Sequence, residues 1–174
     1  MKKSLANLLV VFLLVVVTAG SVGYLFFSNI QTASTSDGIV TYALVTTAPE
    51  ENSIAFEGCG AEFIKLYSVN VPGTLQDSLA GLFQVTDYKI PNTNFTNSLY
   101  NSTIKSTVTQ EAETTIVNLN GDLISAGTCD DPRVINQITK TIEANLPENS
   151  EYKIKLNGSE QNWRCWNDMS GNCN

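Results

Sequence analysis

The sequence predicts an α+β domain. It is read as one mostly antiparallel sheet with two helices packed on one face, standing after an N-terminal transmembrane helix. Three observations predict this. Several short segments alternate apolar and polar residues with period two, two stretches switch to a helical period, and the first thirty residues are almost wholly apolar. The expected element order is β-β-α-β-β-α-β.

The N-terminus is read first because it sets the compartment. From Leu5 to Phe27 the chain runs "LANLLVVFLLVVVTAGSVGYLFF" with no charge. Such a helix spans roughly 34 Å, enough for a hydrocarbon core of about 30 Å. Lys2 and Lys3 precede it, and no charge follows until Asp37. Positive charge stays inside, so a single-pass anchor is expected, with a cytoplasmic N-terminus and everything after about residue 30 outside. The competing reading is a cleaved signal peptide, with Val17-Thr18-Ala19 as its cleavage site. The apolar run continues through Tyr24-Leu25-Phe26-Phe27, further than such a peptide requires. Both readings put the remaining chain outside the cytoplasm.

Each later element has its own signal. Residues 31–38, "QTASTSDG", are small and polar and read as a tether. "IVTYALVTT", Ile39 to Thr47, is β-branched and aromatic and reads as a strand. "APEENSIAFEGCG" reads as a loop. "AEFIKLYSVNV" alternates Phe63, Lys65, Tyr67 and Val69 against Ile64, Leu66 and Ser68, a second strand ended by Pro72-Gly73. "TLQDSLAGLFQV" then places Leu75, Leu79, Leu82 and Phe83 on one helical face, with Thr74 as the expected N-cap. Gly81 weakens that helix by about 1 kcal/mol, which suggests close packing against a neighbour. A long polar loop follows, with one helical turn expected near Phe95 to Leu99. "STIKSTVTQ" and "ETTIVNLNG" read as a strand pair turning near Glu111-Ala112.

The stretch "GTCDDPRVINQITKTIEANLP" carries the second helix. Val134, Ile135, Ile138, Ile142 and Leu146 recur at helical spacing, with Arg133, Asn136, Gln137, Lys140 and Glu143 on the remaining surface. Pro132 suits the first helical turn, Asp131 is the expected N-cap, and Asp130 adds negative charge at the positive end of the dipole. Burying the five aliphatic side chains contributes on the order of 10 kcal/mol before entropy is subtracted. "EYKIKLNG" is the last strand, with Tyr152, Ile154 and Leu156 on one face. The aromatic segment "SEQNWRCWNDMSGNC" closes the chain.

Four cysteines, Cys59, Cys129, Cys165 and Cys173, all follow the anchor. An even count in an oxidising compartment favours disulfides. The expected pairing, one of three connectivities, is Cys59 with Cys129 and Cys165 with Cys173. With no histidine in the chain, a zinc site would need all four thiolates, and no other metal or cofactor is expected. The missing histidine also removes Ser-His-Asp and Cys-His catalysis, and no phosphate-binding glycine loop is present. Without Lys2 and Lys3 the chain carries eight basic against seventeen acidic side chains, a net charge of −9 that disfavours nucleic acid.

The run from Thr114 to Glu160 resembles the second half of a GerMN domain, the module of sporulation and spore-germination proteins. The likeness lies in Thr115-Ile116-Val117-Asn118-Leu119, in Gln137-Ile138 and Thr141-Ile142 on the helix, and in Leu156-Asn157-Gly158 at the strand end. Ser78-Leu79 and Leu82-Phe83 match the first helix of the family. The cysteines depart from its pattern, and the family's usual I-P-x-G-T segment has only a faint echo in Ile90-Pro91-Asn92-Thr93. The organisation expected is therefore residues 1–30 as cytoplasmic start and anchor, 31–38 as tether, 39–160 as the GerMN-like domain and 161–174 as a disulfide-closed tail. The resemblance implies a membrane-tethered, non-enzymatic module that engages other envelope proteins or self-associates.

Two other functions have candidate residues in the sequence. A wall-glycan or small-ligand module would use Trp163, Trp166 and Tyr152, and Tyr67 beside them, as stacking surfaces. A hydrolase would draw on carboxylates such as Glu57, Glu62 and Asp131, or on the pair Asp130-Asp131. Neighbouring carboxylates at a helix start point apart more often than they face each other, so a non-enzymatic module is the expectation.

Overall fold

A computed structural model describes residues 38–168. The hydrophobic run at residues 5–27, residues 31–37 of the expected tether and Cys173 lie outside the described residues, and with them the anchor and the Cys165–Cys173 pairing, while Gly38 opens the first strand. Among the described residues no helix is long and apolar enough to cross a membrane.

The described chain is α+β, with three helices and two mostly antiparallel sheets. Its strands are β1 (Gly38–Thr46), β2 (Ile54–Glu57), β3 (Ala61–Gly73), β4 (Phe95–Thr96), β5 (Thr103–Glu111), β6 (Thr114–Asp122) and β7 (Tyr152–Leu156). Its helices are α1 (Leu75–Gln84), α2 (Asp131–Ala144) and α3 (Glu160–Asn167). The first sheet has the order β2-β3-β1-β4 and the second β5-β6-β7. All neighbours are antiparallel except β6 and β7, which run parallel across the α2 crossover.

Most strands lie where the alternation puts them, and the differences have physical causes. The segment read as a loop after Ala48 contains β2, whose Phe56 and Ile54 lie opposite Glu62 and Ile64 of β3. The turn expected near Phe95 is instead β4, paired to Val45 and Thr46 at the end of β1. The C-terminal segment is helical from Glu160, with Ser159 accepting a hydrogen bond from the Asn162 N–H as its cap.

The single expected sheet is two sheets because helix side chains occupy the strand edges that would have joined them. Beyond β4, the open edge of β1 is bonded by side chains rather than by a strand. The Thr41 N–H donates to Ser78 Oγ (3.0 Å) and its carbonyl accepts from Asn145 Nδ2 (2.8 Å). The Ala43 N–H donates to Thr141 Oγ1 (2.9 Å) and its carbonyl accepts from Gln137 Nε2 (3.1 Å). On the outer edge of β5, Gln76 of α1 donates to the Ser106 carbonyl and accepts from the Val108 N–H. Helix α1 therefore contacts both strands and satisfies polar groups on each, which removes two templates for strand addition.

The main core lies between the helices and the second sheet. Leu75, Leu79 and Leu82 of α1 and Val134, Ile138 and Ile142 of α2 pack with Val108, Val117 and Leu119 of β5 and β6. A smaller cluster of Ala43, Val45 and Ile64 belongs to the first sheet. The close approach expected at Gly81 is to Tyr42, whose ring carbons would lie 3.3 Å from an added Cβ. Gly121 has φ +124° and its position leaves no room for a side chain, since a Cβ would sit 2.0 Å from the Thr103 carbonyl oxygen.

Candidate functional site

Two places on the fold concentrate polar chemistry. The first is the start of α2. Cys59 and Cys129 form a disulfide with a Cα separation of 5.2 Å, joining the residues just ahead of β3 and α2. Three residues after Cys59, the Glu62 carboxylate accepts from Arg133 Nε (2.9 Å) and from Arg133 Nη2. Arg133 Nη1 also donates to Asp130 Oδ1, which accepts from Ser98 Oγ (3.3 Å) as well. Glu62 and Asp130 are each only 5% exposed, so the guanidinium is the group that lets two carboxylates stay buried. Those bonds, chiefly the ones to Glu62, raise the Arg133 pKa above its ordinary value.

This arrangement corrects the expected cap. The N-cap position belongs to Asp130, not Asp131, and its side chain makes no capping bond because Arg133 and Ser98 hold it. Asp131 is the first helical residue and accepts from Ser125 Oγ. The carboxylates considered for hydrolysis are thus dispersed: Glu62 is bound to Arg133, Asp131 to Ser125, and Glu57 is exposed at the end of β2. Among the described residues no cluster of three or more Cys, Asp or Glu is placed to hold a metal ion.

Gln137, which the spacing sets apart from the apolar stripe of α2, is fully buried. Its Oε1 accepts from the Ser98 N–H (2.9 Å), while Nε2 donates to the Ala43 carbonyl and to Asn97 Oδ1. Gln137, Thr141 and Asn145 follow at intervals of four, so they form one stripe down the helix. A polar stripe at helical spacing beside an apolar one is the signal that could have revealed it.

The second place is a cleft of about 680 Å³ at the other end of α2. Ile39, Thr41 and Ser68 line it from the β1–β3 pair, Leu75 from α1, and Asn145 and Leu146 from the end of α2. Thr41 Oγ1 and Ser68 Oγ lie 3.0 Å apart in a hydroxyl pair. Ile39, which lines the cleft, is 49% exposed, and Val71 near the same end of the β1–β3 pair is 52% exposed.

The aromatic candidates occupy different surroundings. Trp163 is buried in the main core and stacks on Trp166 at a centroid distance of 6.3 Å. Trp166 is partly buried and donates its ring N–H to the Leu123 carbonyl (3.2 Å). Tyr152 packs on the core and donates to Glu143 Oε1 (3.2 Å). Tyr67, by contrast, is exposed, with its ring 5.6 Å from that of Tyr42.

Comparison with protein-family models, with curated proteins and with solved structures finds no match for this chain.

Proposed function

We propose that the chain is a non-enzymatic interaction module of the GerMN kind. In this reading a single N-terminal helix holds the domain to the membrane, outside the cytoplasm, where it engages an envelope protein or a second copy. The observation that carries the reading is the cleft lined by Ile39, Leu75 and Leu146, with Ile39 half exposed beside it. Exposed aliphatic residues beside a concave surface are a common mark of docking. The Cys59–Cys129 bridge supports the compartment, since such bonds persist in oxidising surroundings. At the start of α2 the buried carboxylates of Glu62 and Asp130 are both held by Arg133, and the buried Gln137 amide is held by Asn97, which favours a structural role for them.

A photo-crosslinking residue at Ile39 in the full-length, membrane-inserted protein tests the reading. A discrete adduct is expected there, with none from the same group at Thr107 on the exposed side of β5. Equal labelling at both positions, or none at either, contradicts it. The cleft volume also lies in the range of small-ligand sites, which favours a wall-glycan or small-ligand reading as the alternative. Sedimentation of the protein with purified peptidoglycan separates the two.

A further inference from the structure

We propose that Asn94 and Asn101 are N-glycosylation sites, each taking an oligosaccharide from a lipid-phosphate-linked donor onto the folded domain, and that Asn157 is not. The proposal rests on the extracytoplasmic reading, because such transfer takes place outside the cytoplasm. The acceptor pattern is Asn, then any residue but proline, then Ser or Thr. It occurs as Asn94-Phe95-Thr96, Asn101-Ser102-Thr103 and Asn157-Gly158-Ser159. The residues alone do not choose among the three, and the fold does.

The first two patterns are open. Asn94 stands in the turn that leads into β4, where the Ile90 N–H donates to the Phe95 carbonyl (3.0 Å) and the Thr93 N–H to the Ile90 carbonyl (3.2 Å). Asn101 lies in the turn before β5, where the Ser102 N–H donates to the Leu99 carbonyl (2.8 Å). Both asparagines are exposed, and among the described residues neither amide has a hydrogen-bond partner. The hydroxyl residue two positions on ends β4 in one case and opens β5 in the other. Thr103 is exposed and its hydroxyl has no described partner, while the Thr96 hydroxyl reaches the Val45 carbonyl only at 3.5 Å.

The third pattern is occupied by the fold itself. Asn157 Oδ1 accepts from the Gly121 N–H (2.8 Å) and Nδ2 donates to the Gly121 carbonyl (3.2 Å), so both amide atoms tie the end of β7 to β6. Ser159 Oγ accepts from the Asn162 N–H (3.2 Å) as the cap of α3. A sugar on that amide would displace these bonds.

A second observation points to the same two positions. Tyr100 precedes Asn101, and Tyr88, 42% exposed, meets its ring edge-on at a centroid distance of 5.3 Å. The Tyr88 carbonyl accepts from the Asn97 N–H (2.8 Å), which sets this ring pair between the two acceptors. Phe95, inside the first pattern, lies 6.5 Å from the exposed Tyr67. The C–H face of a sugar packs on an aromatic face, so glycans here would cover rings that the fold leaves partly bare.

In the transfer, Asn Nδ2 attacks the anomeric carbon of the donor. A carbon–nitrogen bond forms, the bond from that carbon to the phosphate oxygen breaks, and the lipid phosphate leaves with the electron pair. One amide proton passes to a base of the transferase, and nothing is oxidised or reduced.

Mass spectrometry of the full-length protein, extracted from the membranes of the cells that make it, tests the proposal. Electron-transfer fragmentation separates Asn94 from Asn101. Glycopeptides are expected at both positions and an unmodified peptide at Asn157. In the same cells, N94Q and T96V should each lose all sugar at residue 94 and keep it at 101, and N101Q and T103V should do the reverse. Threonine to valine keeps the branched shape and the strand preference and removes only the hydroxyl of the pattern. A bare Asn94 or Asn101, sugar on Asn157, or a T96V or T103V protein that keeps its glycan would each overturn the proposal. Bare asparagines in a protein whose Cys59–Cys129 bond is intact would end the glycan proposal alone and leave the extracytoplasmic reading standing. Bare asparagines with both of those thiols free would end both.

Discussion

Glu62 and Arg133, seventy-one residues apart in the chain, meet in a two-pronged ion pair beside the disulfide that joins Cys59 to Cys129. The covalent and the ionic link fasten the same two elements, the start of β3 and the start of α2. The ion pair also settles how Asp130 is buried, because one guanidinium serves both carboxylates.

R133M should therefore destabilise the fold by about 3–5 kcal/mol, since it leaves two buried carboxylates without their cation. E62Q keeps the shape and part of the hydrogen bonding and should cost less. Urea denaturation of both variants checks the order. An R133M protein as stable as the parent would mean that the pair does not form.

Q137L should cost about 3 kcal/mol or more, although leucine is apolar and close in volume. The substitution strands the Ser98 N–H, the Ala43 carbonyl and Asn97 Oδ1, each a buried group losing a partner. If Gln137 faced solvent, the same change would be nearly neutral. Urea denaturation distinguishes the two outcomes.

The Tyr152 phenol is pushed up to about 12, first by burial and then by the charge and hydrogen bond of Glu143. Its folded pKa exceeds the unfolded value of 10.0, so the folded state keeps a proton that the unfolded state releases. The contribution to stability is complete below about pH 10 and is lost as pH rises toward 12. Spectrophotometric titration should show one phenolate appearing near the top of that window. Y152F should remove it and flatten part of the alkaline decline in stability.

Alternation made the five longer strands legible, and helical spacing the first two helices. Thr74 reads as a cap from its place before Leu75, and the structure has it as one. The Cys59–Cys129 pairing was one of three connectivities open to the sequence, and the fold brings those two residues together. Local pattern fails where partners are distant. Nothing near Ala43 indicates that its N–H and carbonyl bond to Thr141 and Gln137, so one sheet was expected where there are two. Asp130 and Asp131 both suit a helix start, and only Glu62 and Arg133, brought together by the fold, decide between them. The four residues of β2 were hidden among turn-forming neighbours, because so short a run has no measurable period. The cleft is assembled from three separated segments and has no sequence signature.

Thiol trapping of the full-length protein in intact cells, followed by non-reducing proteolysis and mass spectrometry, bears most directly on the fold and its compartment. The structure predicts a linked peptide pair holding Cys59 and Cys129, and reduction of that bond should lower stability by roughly 4 kcal/mol for a closed loop of this length. Recovery of Cys59 and Cys129 as separately alkylated free thiols would contradict both the junction of β3 with α2 and the extracytoplasmic reading built on it.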